Sequence, residues 1–130
     1  MSQENVEIVK EIFQFAQTDW ARVSAKLDPD VRLDQSRFPD GGIYEGREAL
    51  RDFYRGWFGT WNELRITPEQ FCDRGDQVLV LLTLTGRGKG SGTPVTLRAA
   101  DIWTVRGGRV VELLGYPDRT EALEAVGLSE

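Results

Sequence analysis

The chain has 130 residues, 40% hydrophobic and 28% charged, with a formal net charge of −5 and no histidine. That is about one domain's worth of chain, long enough to bury a core and enclose a pocket. The missing histidine excludes Ser-His-Asp and Cys-His machinery and any histidine-bearing metal site, and the acidic balance argues against nucleic-acid or anionic-membrane partners.

Ser2, Gln3 and Glu4 read as a helix N-cap with an acidic first turn, and Val6, Val9, Ile12, Phe13 and Ala16 follow at helical spacing, so a helix is predicted over 3–17. Asp19 caps a second helix bearing Trp20, Val23 and Leu27, stopped by the turn Asp28-Pro29-Asp30; a short strand then runs from Val31 to about Gln35. Residues 36–46, with Pro39, Asp40, Gly41 and Gly42, read as a loop. A third helix is predicted over 47–58, with Leu50, Phe53, Tyr54, Trp57 and Trp61 as an aromatic stripe.

Four strands follow at 64–73, 77–87, 94–105 and 109–116, and short turns between them predict antiparallel pairing. A last helix is expected over 119–126. The order is that of an α+β fold with helices on one face of an antiparallel sheet, in a single domain over 1–130. Both faces of Val78-Leu79-Val80-Leu81-Leu82-Thr83-Leu84 are apolar, so one face is expected to meet the helices and the outer one a second copy in a homodimer.

No stretch is long and apolar enough to read as a membrane span, and Met1 to Asn5 does not open as a secretory signal, so a cytoplasmic location is expected. The single cysteine, Cys72, leaves no intrachain disulfide or thiolate cluster and reads as a packing residue. The glycine-rich Gly86 to Gly92 is read as a hairpin tip, because Lys89 is followed by Gly90 rather than by Ser or Thr and a helix. Glu45, Glu48, Asp52, Glu121 and Glu124 read as solvated faces.

Proton transfer therefore falls to Asp, Glu, Tyr or Lys. In the strand Leu97 to Trp103, the pleat puts Leu97, Ala99, Asp101 and Trp103 on one face. A carboxyl on that face is either in a pocket wall, where burial raises its pKa, or paired with one of the thirteen arginines; both readings stay open. Trp57, Trp61 and Trp103 suit an apolar pocket as well as a core. Gln35 is either a neutral partner at the pocket mouth or a solvated loop residue.

The opening helix ending near Asp19-Trp20, the run Leu27 to Val31, the run Tyr44 to Leu50, the hairpin Asp101 to Val111 and the ending Tyr116 to Leu123 together resemble one family over nearly the whole length. They are similar to the SnoaL-like, polyketide cyclase-like branch of the nuclear transport factor 2-like superfamily. The resemblance implies a cone-shaped fold, also called a cystatin-like roll, with a strongly curved sheet wrapped around N-terminal helices to enclose a pocket. Its members include isomerases, cyclases, dehydratases, hydrolases and non-catalytic binders.

Asp101 falls where ketosteroid isomerase relatives keep a protonated aspartate, and where polyketide cyclase relatives keep an acid/base residue. Tyr54 falls where a supporting tyrosine stands. The isomerases' general-base aspartate is replaced here by Gln35, and their first-helix tyrosine by about Glu11 or Ile12, so the isomerase mechanism is not carried over. The resemblance implies cofactor-independent isomerase, cyclase or hydrolase-type acid/base chemistry by Asp101 on an apolar cyclic or polyketide-like ligand. Gln35 and Tyr54 would contact that ligand and Trp57, Trp61 and Trp103 would form the walls. The alternatives are a non-catalytic ligand-binding or carrier homodimer, and a dimerisation module whose pocket its own side chains fill.

Overall fold

A helix with apolar residues on one side is stable only if that side is covered, and the three helices that precede the long strands find their cover on one face of a single sheet. The computed structural model describes residues 2–39 and 41–128; Asp40 of the expected loop, and Met1, Ser129 and Glu130, lie outside the described residues. Helix α1 is Ser2–Phe15, α2 Trp20–Ser24, α3 Arg47–Thr60 and α4 Arg119–Ala125. Strands are β1 Leu27–Asp34, β2 Ile43–Glu45, β3 Trp61–Arg74, β4 Gln77–Gly88, β5 Pro94–Arg106 and β6 Arg109–Tyr116, in the sheet order β2-β1-β6-β5-β4-β3.

Val6, Val9 and Ile12 of α1 are buried in the main core with Val78, Val80 and Leu82 of β4. The Asp19 carboxylate caps α2 by accepting from the Arg22 N–H at 3.1 Å. Register shifts in β3, between Asn62 and Arg65 and between Pro68 and Gln70, mark places where the ladder is locally broken and the strand can bend. The Gly-rich stretch is the predicted hairpin tip: β4 ends at Gly88, and Gly90 and Gly92 both take positive φ before β5 begins at Pro94.

Several expectations are corrected. β1 begins at Leu27, four residues before the expected start, and runs through Asp28-Pro29-Asp30 instead of turning there. Pro29 is tolerated because the pairing with β6 breaks register between Leu27 and Arg32, so no ladder donor is needed from it. The expected loop contains β2, which pairs antiparallel with β1 through Arg32–Glu45, Leu33–Tyr44 and Asp34–Ile43; three residues are too few for alternation to show in sequence. The sheet is mixed, because β1 and β6 pair in parallel. No hairpin joins those two strands, and the long connection between them leaves their relative direction free. Trp61 is not on the helical stripe: α3 ends at Thr60, and Trp61, with extended φ −120° and ψ 147°, opens β3.

The outer face of β4 also differs from expectation. Leu79 is buried within one chain, in a second cluster with Ala100, Ile102 and Tyr116, and the cover is Ala122, Leu123 and Val126 at the chain's C-terminal end. Arg119, at the start of α4, fastens this layer by donating to the carbonyls of Leu82 at 2.8 Å and Ala99 at 3.2 Å. The apolar outer face, expected to meet a second copy, is thus occupied at Leu79 by the protein's own last helix. Cys72 packs at the border of the same cluster. Among the described residues no helix is long and apolar enough to cross a membrane.

Candidate functional site

Helix α3 is amphipathic, yet only Leu50 of its apolar stripe is fully buried. Phe53, Tyr54, Trp57 and Phe58 are half-buried because that face borders a chamber rather than a packed sheet. The chamber has a volume of about 960 Å³ between α1, α2, α3 and the inner face of the sheet, where Leu82, Leu84 and Ala99 form its floor. It is therefore not filled by the protein's own side chains. Phe53 anchors the aromatic wall, with ring centroids 5.0 Å from Tyr44, 5.3 Å from Tyr54 and 6.4 Å from Trp57.

All six residues singled out in the sequence line this chamber: Gln35, Tyr54, Trp57, Trp61, Asp101 and Trp103. Trp61 reaches it from the first position of β3 rather than from α3. Asp101 and Trp103 sit two apart on β5, opposite Val80 and Val78 of β4, which fixes them on the inner face. Trp103 packs against Phe13 of α1, centroids 5.5 Å apart, so the inner wall is tied to the first helix.

Asp101 forms no ion pair with any arginine among the described residues, which removes the salt-bridge reading. Burial pushes its carboxyl up to about 7. Some of its surface stays accessible, and that surface faces the chamber. The Trp103 indole N–H opposes the rise, but it lies outside the geometry of a formed hydrogen bond and is a buried donor with no partner. Burial also raises the Tyr54 phenol far above its ordinary range, and the nearby Asp101 charge adds to the effect, so Tyr54 stays protonated. The wall thus holds a carboxyl near its midpoint at neutral pH and a protonated phenol, Tyr54, close to it.

Asp34 shows the opposite case. It adjoins Gln35 in sequence, where a general base would stand at the end of β1, yet the pleat turns it away from the chamber. Its carboxylate accepts from the Ser36 N–H at 3.0 Å and the Ser36 hydroxyl at 2.6 Å, and these bonds hold its pKa below the usual value. Asp34 therefore does not substitute for the missing base.

Gln35 is buried rather than a solvated loop residue. The segment after it doubles back, with the Gln35 N–H donating to the Gly42 carbonyl at 2.8 Å and the Phe38 N–H donating to the Gln35 carbonyl at 3.0 Å. A side chain at Gly41 would collide with that same carbonyl. The Gln35 amide lies over Gly115 of β6, the residue paired with Asp101 across the β5–β6 ladder. Neighbouring strands stand ~4.8 Å apart, so the amide is brought to the strand beside the carboxyl. A Cβ at position 115 would stand 2.8 Å from Gln35 Cδ and 2.9 Å from its Nε2. Gly115→Ala is expected to drive the amide from its seat, and because that amide is the free end of a flexible side chain beside an open chamber, the cost in urea unfolding should be no more than about 1 kcal/mol. Most of that loss should disappear when the same change is made in a Gln35→Ala background.

Sequence reasoning missed Arg51 and Arg55, which also line the chamber. Both lie on the helix that carries Tyr54 and Trp57, but arginines on an amphipathic helix read as its solvated face, and only the missing sheet contact marks them.

A curved sheet enclosing an apolar chamber with its helices, and carrying one carboxyl in the wall, defines the cone-shaped α+β fold of the nuclear transport factor 2-like type. Residues 9–113 match the SnoaL-like domain, and the chain belongs to that family. The family is of small-molecule-binding, cyclase- and isomerase-type proteins. A candidate SnoaL-like polyketide cyclase from Jannaschia sp. CCS1 is 26% identical, with TM-score 0.77, over 98% of this chain and 94% of that one. A nuclear transport factor 2-like protein of unknown function from Burkholderia pseudomallei is 27% identical, with TM-score 0.75, over 95% of this chain and 98% of its own. TerC, crystallised with polyporic acid, shares the fold at 23% identity and TM-score 0.75, over 95% of this chain and 98% of that one. No curated protein matches the sequence.

Proposed function

We propose that the protein is a cofactor-independent acid/base catalyst acting on an apolar cyclic or polyketide-like small molecule, with Asp101 as the proton-transferring group. The observation that carries this reading is a single carboxyl, buried in the wall of an apolar chamber, whose pKa stands at about 7. A carboxyl poised there is present in both forms at neutral pH, so it can give a proton to a substrate oxygen or take one from an acidic carbon. Tyr54 would hold the substrate oxygen, Gln35 would orient its polar end, and Trp57, Trp61 and Trp103 would enclose the apolar body. TerC, which shares the fold, was crystallised with polyporic acid, and this supports a small-molecule ligand here.

A carrier or binding protein is the second reading, favoured by the neutral Gln35 where relatives keep a base.

A panel of cyclic ketones and polyketide-like aromatic compounds, incubated with the protein and followed by proton NMR, separates the two. Catalysis is expected to show conversion of at least one bound compound, with a rate that changes through one ionisation near pH 7. Tight binding without conversion across the panel supports the carrier instead.

A further inference from the structure

The protein carries net negative charge, yet the charged residues that line its chamber are Arg51, Arg55 and Asp101. The partly buried arginines elsewhere in the fold are bonded. Arg47 donates to the Leu27 carbonyl at 2.6 and 2.9 Å, Arg32 to the Glu112 carboxylate at 3.0 Å, and Arg119 to the Leu82 carbonyl at 2.8 Å. Arg51 departs from this pattern, because its Nε is buried and has no hydrogen-bond partner. The one carboxylate beside it, Asp52, stands 3.7 Å from that nitrogen, beyond hydrogen-bond reach, and is 69% exposed. A guanidinium presents five donors in a fixed fork that suits carboxylate, sulfonate or enolate oxygens.

Arg55 lies four residues on and Tyr54 three residues on from Arg51, so the three share one face of α3 within a turn. Tyr54 is close enough to Asp101 to feel its charge. Along the helix axis Arg51 is thus about 4.5 Å from Tyr54 and Arg55 about 1.5 Å, so the two cations flank the tyrosine that stands near Asp101.

Resting on the reading of the chamber as a small-molecule site, we infer that its ligand is an apolar ring-bearing acid, whose anionic group is held by Arg51 with Arg55 beside it while its uncharged oxygen reaches Asp101. The two ends impose different requirements. Arg51 selects for charge, and the apolar floor and the tryptophans select for the ring body. A neutral ligand of equal shape would fill the chamber and offer no counter-charge to the Arg51 and Arg55 side chains that line it.

The test uses two fluorescent probes with the same ring skeleton: anionic 1-anilino-8-naphthalenesulfonate and neutral N-phenyl-1-naphthylamine. The neutral probe is the more apolar, so burial alone ranks it first. The native protein is expected to bind the sulfonate at least as tightly. Arg51→Met should weaken the sulfonate about tenfold and leave the neutral probe within twofold, Arg51→Lys should restore part of the loss, and Arg55→Met should weaken the sulfonate about threefold. Arg98→Met, at an exposed residue outside the chamber lining, should change neither. If the neutral probe binds and neither arginine substitution moves the sulfonate beyond twofold, the acidic-ligand inference is overturned while the chamber reading stands. If neither probe binds the native protein, both fall. Circular dichroism of each variant checks its fold, and Arg55→Met carries the test should Arg51→Met not fold.

Discussion

At pH 8 the Asp101→Asn variant is expected to be more stable than the native protein, by up to about 4 kcal/mol, and at pH 4 the two should be nearly alike. Asp101 has its carboxyl raised from 3.8 to about 7 in the folded chain. Between those values the folded state holds a proton that the unfolded state has released, so stability falls as pH rises through the window. The stabilising preference for the protonated form is complete below the unfolded value and is lost once pH passes about 7. The gap corresponds to about 4 kcal/mol, an upper bound because water in the chamber relaxes part of the desolvation. Asn has the same shape and no charge to bury at any pH. Asp34, Glu11 and Glu69, whose pKa values are held low by hydrogen bonds from Ser36, Arg22 and Arg119 respectively, titrate in both proteins and cancel in the difference. Urea unfolding at the two pH values measures it. Equal stability of both proteins at pH 8 is incompatible with a buried, ionising Asp101.

The same substitution is expected to lower turnover of a converted compound by ~10²–10⁴-fold, the usual contribution of a positioned acid/base group. Binding should stay within about threefold, because Asn keeps the volume and most of the hydrogen-bonding capacity of Asp. The loss therefore belongs in kcat rather than KM. Steady-state kinetics on the native protein and Asp101→Asn measures the split. Unchanged kcat would remove Asp101 from the chemistry, while a raised KM at constant kcat would make it a binding group. The two expectations pull in opposite directions: the residue expected to destabilise the fold at pH 8 is the one proposed to transfer the proton. Trade-offs of this kind are common where a charge is buried for function.

Asp101 was legible in sequence because one rule, alternation along a strand, sets it beside Leu97, Ala99 and Trp103, and the structure keeps all of them on one side of the sheet. The long strands were legible for the same reason, with turns that bound them. β2 was not, since three residues give alternation nothing to repeat. Trp61 was misplaced because an aromatic four residues after Trp57 extends a helical stripe, whereas the helix stops one residue earlier and the next strand turns the side chain to the same chamber. The cover over Leu79 was missed because a seven-residue helix at the end of the chain gives no hint of where it docks. Arg51 was missed because its unpartnered nitrogen is a property of packing, not of spacing. Gly115 belongs to the same class, since its need for a bare α-carbon comes from Gln35, just past the end of β1 and distant in sequence.

The central claim is that one carboxyl in the chamber wall changes its charge near neutral pH, and it is tested most directly by titrating that group. With aspartate labelled at the side-chain carboxyl carbon, and the Asp101 resonance assigned by its disappearance in Asp101→Asn, carbon NMR between pH 3 and 9 reads its ionisation alone. A midpoint near 7 is expected. A midpoint at or below the ordinary 3.8 would contradict it, and would mean that Asp101 is solvated or paired with a cation rather than held in the apolar wall.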